Sequence, residues 1–129
     1  MVIDFANLKL QYFKYKDEIN ESLQEVLDSS NFIMGKQVNE LEKNLENFTG
    51  AKYAVACSSG TDALTLSMMA MDIKQGDEVI TTPFSFISTA ETISLLKAKP
   101  IFVDIEPDTF NIDANKIESA ITSKTKAII

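Results

Sequence analysis

The chain predicts an α/β fold with a mostly parallel sheet covered on both faces, and three observations carry that reading. After Gly50, short apolar runs alternate with helical patterns, and strands alternating with helices are the pattern of crossover-connected parallel sheets. Turn and cap residues punctuate the alternation, Gly76-Asp77 at one return and Asp113 before the last helix. Before Gly50 two helical patterns open the chain.

The first helical pattern sets Ile19, Leu23, Val26 and Leu27 on one face, and the second sets Val38, Leu41, Leu45 and Phe48. Both repeat at 3.6 residues. Ser29-Ser30-Asn31 with Gly35 forms the connection between them. The polar side of the second helix, with Glu40, Glu42, Lys43 and Glu46, reads as a solvated face. The predicted elements then run strand 53–57, helix 61–72, strand 78–82, helix 88–96, strand 100–104, helix 114–121 and a strand starting near Lys126.

One domain is the natural count for 129 residues, organised as a helical segment 1–49 followed by an α/β portion 50–129. Thr125-Lys126-Ala127-Ile128-Ile129 reads as a strand that has just begun, with nothing after it to cross back over the sheet. The expectation is a fragment, its sheet incomplete at the carboxyl end. No internal repeat or low-complexity segment is present.

Composition excludes several function classes. A hydrophobic content of 45% is enough for a globular core, while 12 Lys+Arg against 19 Asp+Glu give a net charge of −7. That balance offers no basic stripe to a phosphodiester backbone, so a nucleic-acid partner is not expected. Histidine is absent and cysteine occurs once, which removes His-containing triads and thiolate metal clusters; no metal site is assigned. Cys57 is expected to pack as a small apolar residue at a strand end. No intramolecular disulfide can form, as suits a reducing compartment. Asp4, Lys9, Lys14 and Lys16 break any signal-peptide pattern, and the longest nearly apolar stretch, Ala63 to Met71, is far too short to span a membrane. The reading is a soluble cytoplasmic protein with no membrane partner.

The segment Ala54-Val55-Ala56-Cys57-Ser58-Ser59-Gly60-Thr61-Asp62-Ala63-Leu64 concentrates the chemistry. A strand ends at small polar residues and a helix starts at once, with Gly60 able to let a ligand approach the backbone. The first N–H groups of such a helix have no intrahelical partner, and with the positive end of the helix dipole they favour a phosphate. By itself Ser-Gly-Thr-Asp is also ordinary capping chemistry. The segment matches neither Gly-x-Gly-x-x-Gly nor the P-loop spacing. Ser58–Asp62 and Thr82–Phe86 both follow strands, where parallel sheets hold ligands. Asp104, Glu106, Asp108 and Asp113 lack the spacing of a calcium loop, and with Pro107 and Asn111 they read as turn and cap residues.

Four sets of residues carry a wider resemblance: Gly50-Ala51-Lys52-Tyr53-Ala54-Val55; Ser58-Ser59-Gly60-Thr61-Asp62-Ala63-Leu64; Gly76-Asp77-Glu78-Val79-Ile80-Thr81-Thr82-Pro83-Phe84-Ser85-Phe86; and Phe102-Val103-Asp104-Ile105-Glu106-Pro107-Asp108-Thr109-Phe110. Upstream, Asn7-Leu8-Lys9, Gln11-Tyr12 and Phe32-Ile33-Met34-Gly35 fit the same pattern. In order and spacing, the chain resembles the amino-terminal part of the DegT/DnrJ/StrS sugar aminotransferases, which use pyridoxal 5′-phosphate.

The resemblance implies the first part of a large domain of the aspartate aminotransferase type, a three-layer αβα sandwich. It gives Gly60, Thr61 and Asp62 the phosphate role, through backbone N–H groups and the Thr61 hydroxyl, and makes Phe86 the ring stacked on the cofactor. The carboxylate of Asp62 would repel a phosphate at contact, so its backbone N–H is assigned to the ligand and its side chain is expected to turn away toward the helix end. Phe84 is left as a core candidate. For the whole protein, the resemblance implies amino transfer, usually from glutamate, to a nucleotide-linked keto sugar, in a homodimer serving cell-surface polysaccharide or amino-sugar synthesis. No lysine here sits in the context of the family's cofactor-anchoring lysine, so no catalytic residue is assigned and the fragment alone is expected to be inactive. Two alternatives are a sugar dehydratase of the same family and a non-catalytic dimerisation or regulatory remnant.

Overall fold

The structure, a computed structural model, describes residues 5–129. Asp4, one of the charges set against a signal peptide, lies outside the described residues. The chain divides into two compact units, one running up to Ala56 and the other Cys57–Ile129.

The first unit is built on two helices, α1 (Leu8–Ser29) and α2 (Lys36–Thr49). The Asn7 side chain starts α1 by accepting from the Leu10 N–H at 2.8 Å, and Ser30 closes it in the left-handed region. Gly35 caps α2 where no side chain would fit: an added Cβ would stand 2.8 Å from the Asn31 carbonyl oxygen. The two apolar stripes form as the period predicts, yet neither helix has a buried residue.

The segment expected as a strand at 53–57 joins no ladder among the described residues. Its amides are held by side chains instead. Ala54 donates to Glu46 Oε1 at 3.3 Å and Ala56 to Glu42 Oε1 at 2.8 Å. Four residues of helix rise about 6 Å and two of strand about 6.6 Å, so carboxylates at i and i+4 match alternate amides of an extended chain. Glu42 and Glu46 are therefore half-buried donor-satisfying groups, which corrects their reading as part of a solvated face. Glu46 is held below its ordinary value of 4.5, first by the hydrogen bond from Lys43 and also by that from Ala54.

The second unit carries α3 (Gly60–Ala70), β1 (Glu78–Thr81), α4 (Ser88–Leu95), β2 (Lys99–Phe102), α5 (Ala114–Ala120) and β3 (Thr125–Ile128). The strands order as β2-β1-β3 and every pairing is parallel, with a bulge in β3 opposite Glu78/Val79. β1 is buried along its whole length, as a central strand covered on both faces must be. Pro100 is tolerated in β2 because Lys99 and Val103 donate to the carbonyls of Asp77, just before β1, and Thr81, at its end, while position 100 faces the edge away from β1. Val79 packs with Met68, Ile73, Ile93 and Ala98 under α3 and α4, whereas Ile80, facing the other way, is also fully buried. Parallel crossovers are right-handed, so the reversal of direction between β1→β2 and β2→β3 sends α4 and α5 to opposite faces. This is the three-layer arrangement the sequence predicts, with three strands in the sheet among the described residues.

Asp113 caps α5, its carboxylate accepting from the Asn115 N–H at 3.0 Å, and Lys116 beside it holds that carboxyl below the usual range. Asp104 and Glu106 take turn bonds from Ile105 N–H and the Thr109 hydroxyl. Those roles are the ones the sequence predicts. Cys57 and Phe84 depart from expectation. Cys57 is exposed and its thiol lies 3.3 Å from the Ser59 carbonyl, since among the described residues no strand pairs with the chain there to bury it. Phe84 is 63% exposed and rests on Phe110 rather than in the core, because the core-facing positions of this stretch end with β1.

Candidate functional site

Chain topology brings two segments to one end of the second unit. α3 enters β1 at its amino end through the 71–77 turn, and α4 leaves β1 at its carboxyl end, packed against α3. Both helices therefore begin beyond the carboxyl ends of the strands, where open α/β sheets bind ligands. Gly60, Thr61 and Asp62 open α3; Phe86 lies in the 82–87 loop that leads into α4.

Donors at the start of α3 can be accounted for one at a time. Ser59 is the N-cap: its hydroxyl accepts from the Asp62 N–H at 3.1 Å and its carbonyl from the Ala63 N–H at 3.0 Å. The Asp62 N–H, which the sequence reading gave to a ligand, is donated to the Ser59 hydroxyl here. The N–H groups of Gly60 and Thr61 remain open, and the Thr61 hydroxyl has no hydrogen bond among the described residues. A Cβ built on Gly60 meets nothing within 4 Å, so the space over these donors is unfilled by the chain itself.

The Asp62 side chain turns back over the cap, where Ser58 and Ser59 both donate to Oδ2, the latter at 3.1 Å. It faces the start of the helix rather than its far end. These hydroxyls, Ser58 foremost, hold the carboxyl below its ordinary range. The charge is therefore ionised at neutral pH, favours the positive helix end, and is bound by hydroxyls on the cap.

Phe86 is 75% exposed and has no ring partner among the described residues. It presents an uncovered aromatic face at the same end of the sheet as the open donors. Two features escaped the sequence reading. Thr81, the last residue of β1, is 1% exposed and its hydroxyl has no partner among the described residues; Val79 and Thr81 share the face turned to α3 and α4. The other is the pairing of Phe84 with Phe110, whose ring centroids lie 5.6 Å apart. Thr81 could have been suspected from the two-residue period of β1, but nothing in sequence spacing pairs residues 84 and 110.

The chain matches the DegT/DnrJ/EryC1/StrS aminotransferase family over residues 14–129. It is 49% identical over 128 residues to the UDP-2-acetamido-2-deoxy-3-oxo-D-glucuronate aminotransferase of Pseudomonas aeruginosa, covering 99% of this chain and 36% of that protein. It is 46% identical over 129 residues to a pleiotropic regulatory protein of Geobacillus stearothermophilus, covering 100% of this chain and 35% of that one. The crystal structure of ntda from Bacillus subtilis with bound cofactor PMP superposes with a TM-score of 0.86 at 40% identity, over 89% of this chain and 26% of that one. The chain spans about a third of the length of the curated relatives it matches. With the family pattern running through both units and the fold superposing on a solved relative, the chain belongs to the DegT/DnrJ/EryC1/StrS aminotransferase family.

Proposed function

We propose that these residues form the cofactor-binding amino-terminal part of a pyridoxal-phosphate-dependent aminotransferase acting on a nucleotide-linked keto sugar, with glutamate as amino donor. The observation that carries the reading is the set of open donors at the start of α3, next to an unfilled space and at the same sheet end as the free ring of Phe86. These residues fit the group. The phosphate would take the Gly60 and Thr61 N–H groups and the Thr61 hydroxyl, with the helix dipole adding to them. Phe86 would lie on one face of the pyridine ring and keep water from it. Asp62 would contribute through its place on the cap, its charge held by Ser58 and Ser59. The cofactor, when bound, supplies the electron sink that amino transfer needs. The groups that move the proton in this reading lie outside these 129 residues, and the protein works as a homodimer in the synthesis of amino sugars. A relative named as an aminotransferase of a UDP-linked 3-keto sugar supports that substrate class.

The regulatory name of the Geobacillus relative favours one second reading, a regulatory protein that keeps the fold. Both are tested by incubating the whole protein with pyridoxal phosphate, glutamate and a UDP-linked 3-keto sugar and following the amino sugar by mass spectrometry. Stoichiometric cofactor binding with no amino transfer to any keto sugar would favour the regulatory reading and remove the enzymatic one.

A further inference from the structure

Phe110 stands in the left-handed region, with φ of 59°, where a bulky aromatic residue is a genuine outlier. The loop around it is tightly specified. Ile105 and Ile112 form an antiparallel bridge, Glu106 N–H donates to the Asn111 carbonyl at 2.9 Å, Phe110 N–H to the Glu106 carbonyl at 3.0 Å, and Asp113 N–H to the Asp104 carbonyl at 2.9 Å. The Thr109 hydroxyl donates to Glu106 Oε2 and accepts from the Asn111 N–H. Strained residues persist where surrounding bonds over-determine them, and they gather at functional sites. The product of this strain is a ring, 57% exposed, seated 5.6 Å from Phe84 at an interplanar angle of 31°. Phe84 is two residues from Phe86 in the same short loop, between the end of β1 and the start of α4.

We propose that Phe110 is a positioning residue: the loop after β2 presses its ring on Phe84, and through Phe84 fixes the 82–87 loop so that Phe86 presents its face to a planar ligand. The identity of that ligand as the cofactor rests on the function proposed above. Phe110 does not touch the ligand in this arrangement.

The test uses the whole protein labelled with 4-fluorophenylalanine, in which the Phe86 resonance is identified by its loss in Phe86→Leu. Phe110→Gly deletes the ring and relieves the backbone, so it should leave thermal stability near that of the parent while moving or broadening the Phe86 resonance in cofactor-free protein. The dissociation constant for pyridoxamine 5′-phosphate should rise about three- to ten-fold, the worth of one aromatic pair. Phe110→Tyr should restore both. Phe84→Leu breaks the contact from the other side, and the double variant should be no worse than either single one. A Phe86 resonance and an affinity unmoved by Phe110→Gly and Phe84→Leu would overturn the proposal. If the parent protein fails to bind pyridoxamine 5′-phosphate while Phe86 still responds to Phe110→Gly, the cofactor reading falls and the positioning stands.

Discussion

Replacing Thr61 by Ala removes one of the three donors that the first turn of α3 leaves open, the other two being the N–H groups of Gly60 and Thr61. The hydroxyl makes no bond within the described chain, so its loss breaks nothing in the fold, and the helix keeps its Ser59 cap. A hydrogen bond to a charged phosphate is worth roughly 1.5–3 kcal/mol. Because Thr61 is exposed, water can replace part of the bond, which places the loss near the lower figure. That corresponds to about ten-fold in dissociation constant. The assay is titration of the whole protein with pyridoxal phosphate by visible absorbance, alongside thermal unfolding of the cofactor-free form. Thr61→Ser keeps the hydroxyl and should bind within about two-fold of the parent, since two-fold is only about 0.4 kcal/mol. Ser59→Ala should do the reverse of Thr61→Ala, lowering stability by about 1 kcal/mol through the lost cap while leaving affinity largely intact. Parent-like affinity in Thr61→Ala, together with weakened binding in Ser59→Ala, would show that the phosphate is read by the cap and not by Thr61.

Phe86→Leu should weaken cofactor binding by roughly 0.5–1.5 kcal/mol and shift the visible absorption; an unchanged spectrum would place the stacking ring elsewhere. Thr81→Val replaces a buried hydroxyl, unpartnered among the described residues, by a methyl of the same shape, so stability should rise by about 1 kcal/mol. A fall in Tm would mean the hydroxyl has a partner that the chain alone does not supply. Glu46 binds its proton less readily in the folded chain than its ordinary 4.5, so its stabilisation is fully present above that pH and is lost as pH falls through the lower folded value. Hydrogen exchange at the Ala54 amide, compared with amides inside α2, should therefore lose protection on acidification below about pH 4.5, and protection that holds to full protonation would rule out the carboxylate as the clamp.

Local rules made much of this protein legible from sequence. The 3.6-residue stripes of α1 and α2, the cap at Asp113 and the 76–77 turn depend on neighbours a few residues away, and each formed where expected. The alternation of short apolar runs with helices likewise foretold a parallel sheet, because parallel neighbours need a long crossover connection and a helix is its usual form. The residues named for the cofactor, Gly60, Thr61, Asp62 and Phe86, fall at the carboxyl end of that sheet by topology alone.

Tertiary structure decided what depends on partners distant in sequence. Whether 53–57 becomes a strand is set by whether another strand lies beside it, and among the described residues its amides find Glu42 and Glu46 instead. Which donors at α3 stay open depended on the rotamer of Ser59, whose hydroxyl accepts from the Asp62 N–H. The surroundings of Phe84 were fixed by a ring 26 positions further along, held there by a backbone conformation that no propensity scale would assign to phenylalanine. Sequence determines which groups are present and how they repeat along the chain; only the folded backbone determines which of their hydrogen bonds and ring faces are already used, and binding depends on those left over.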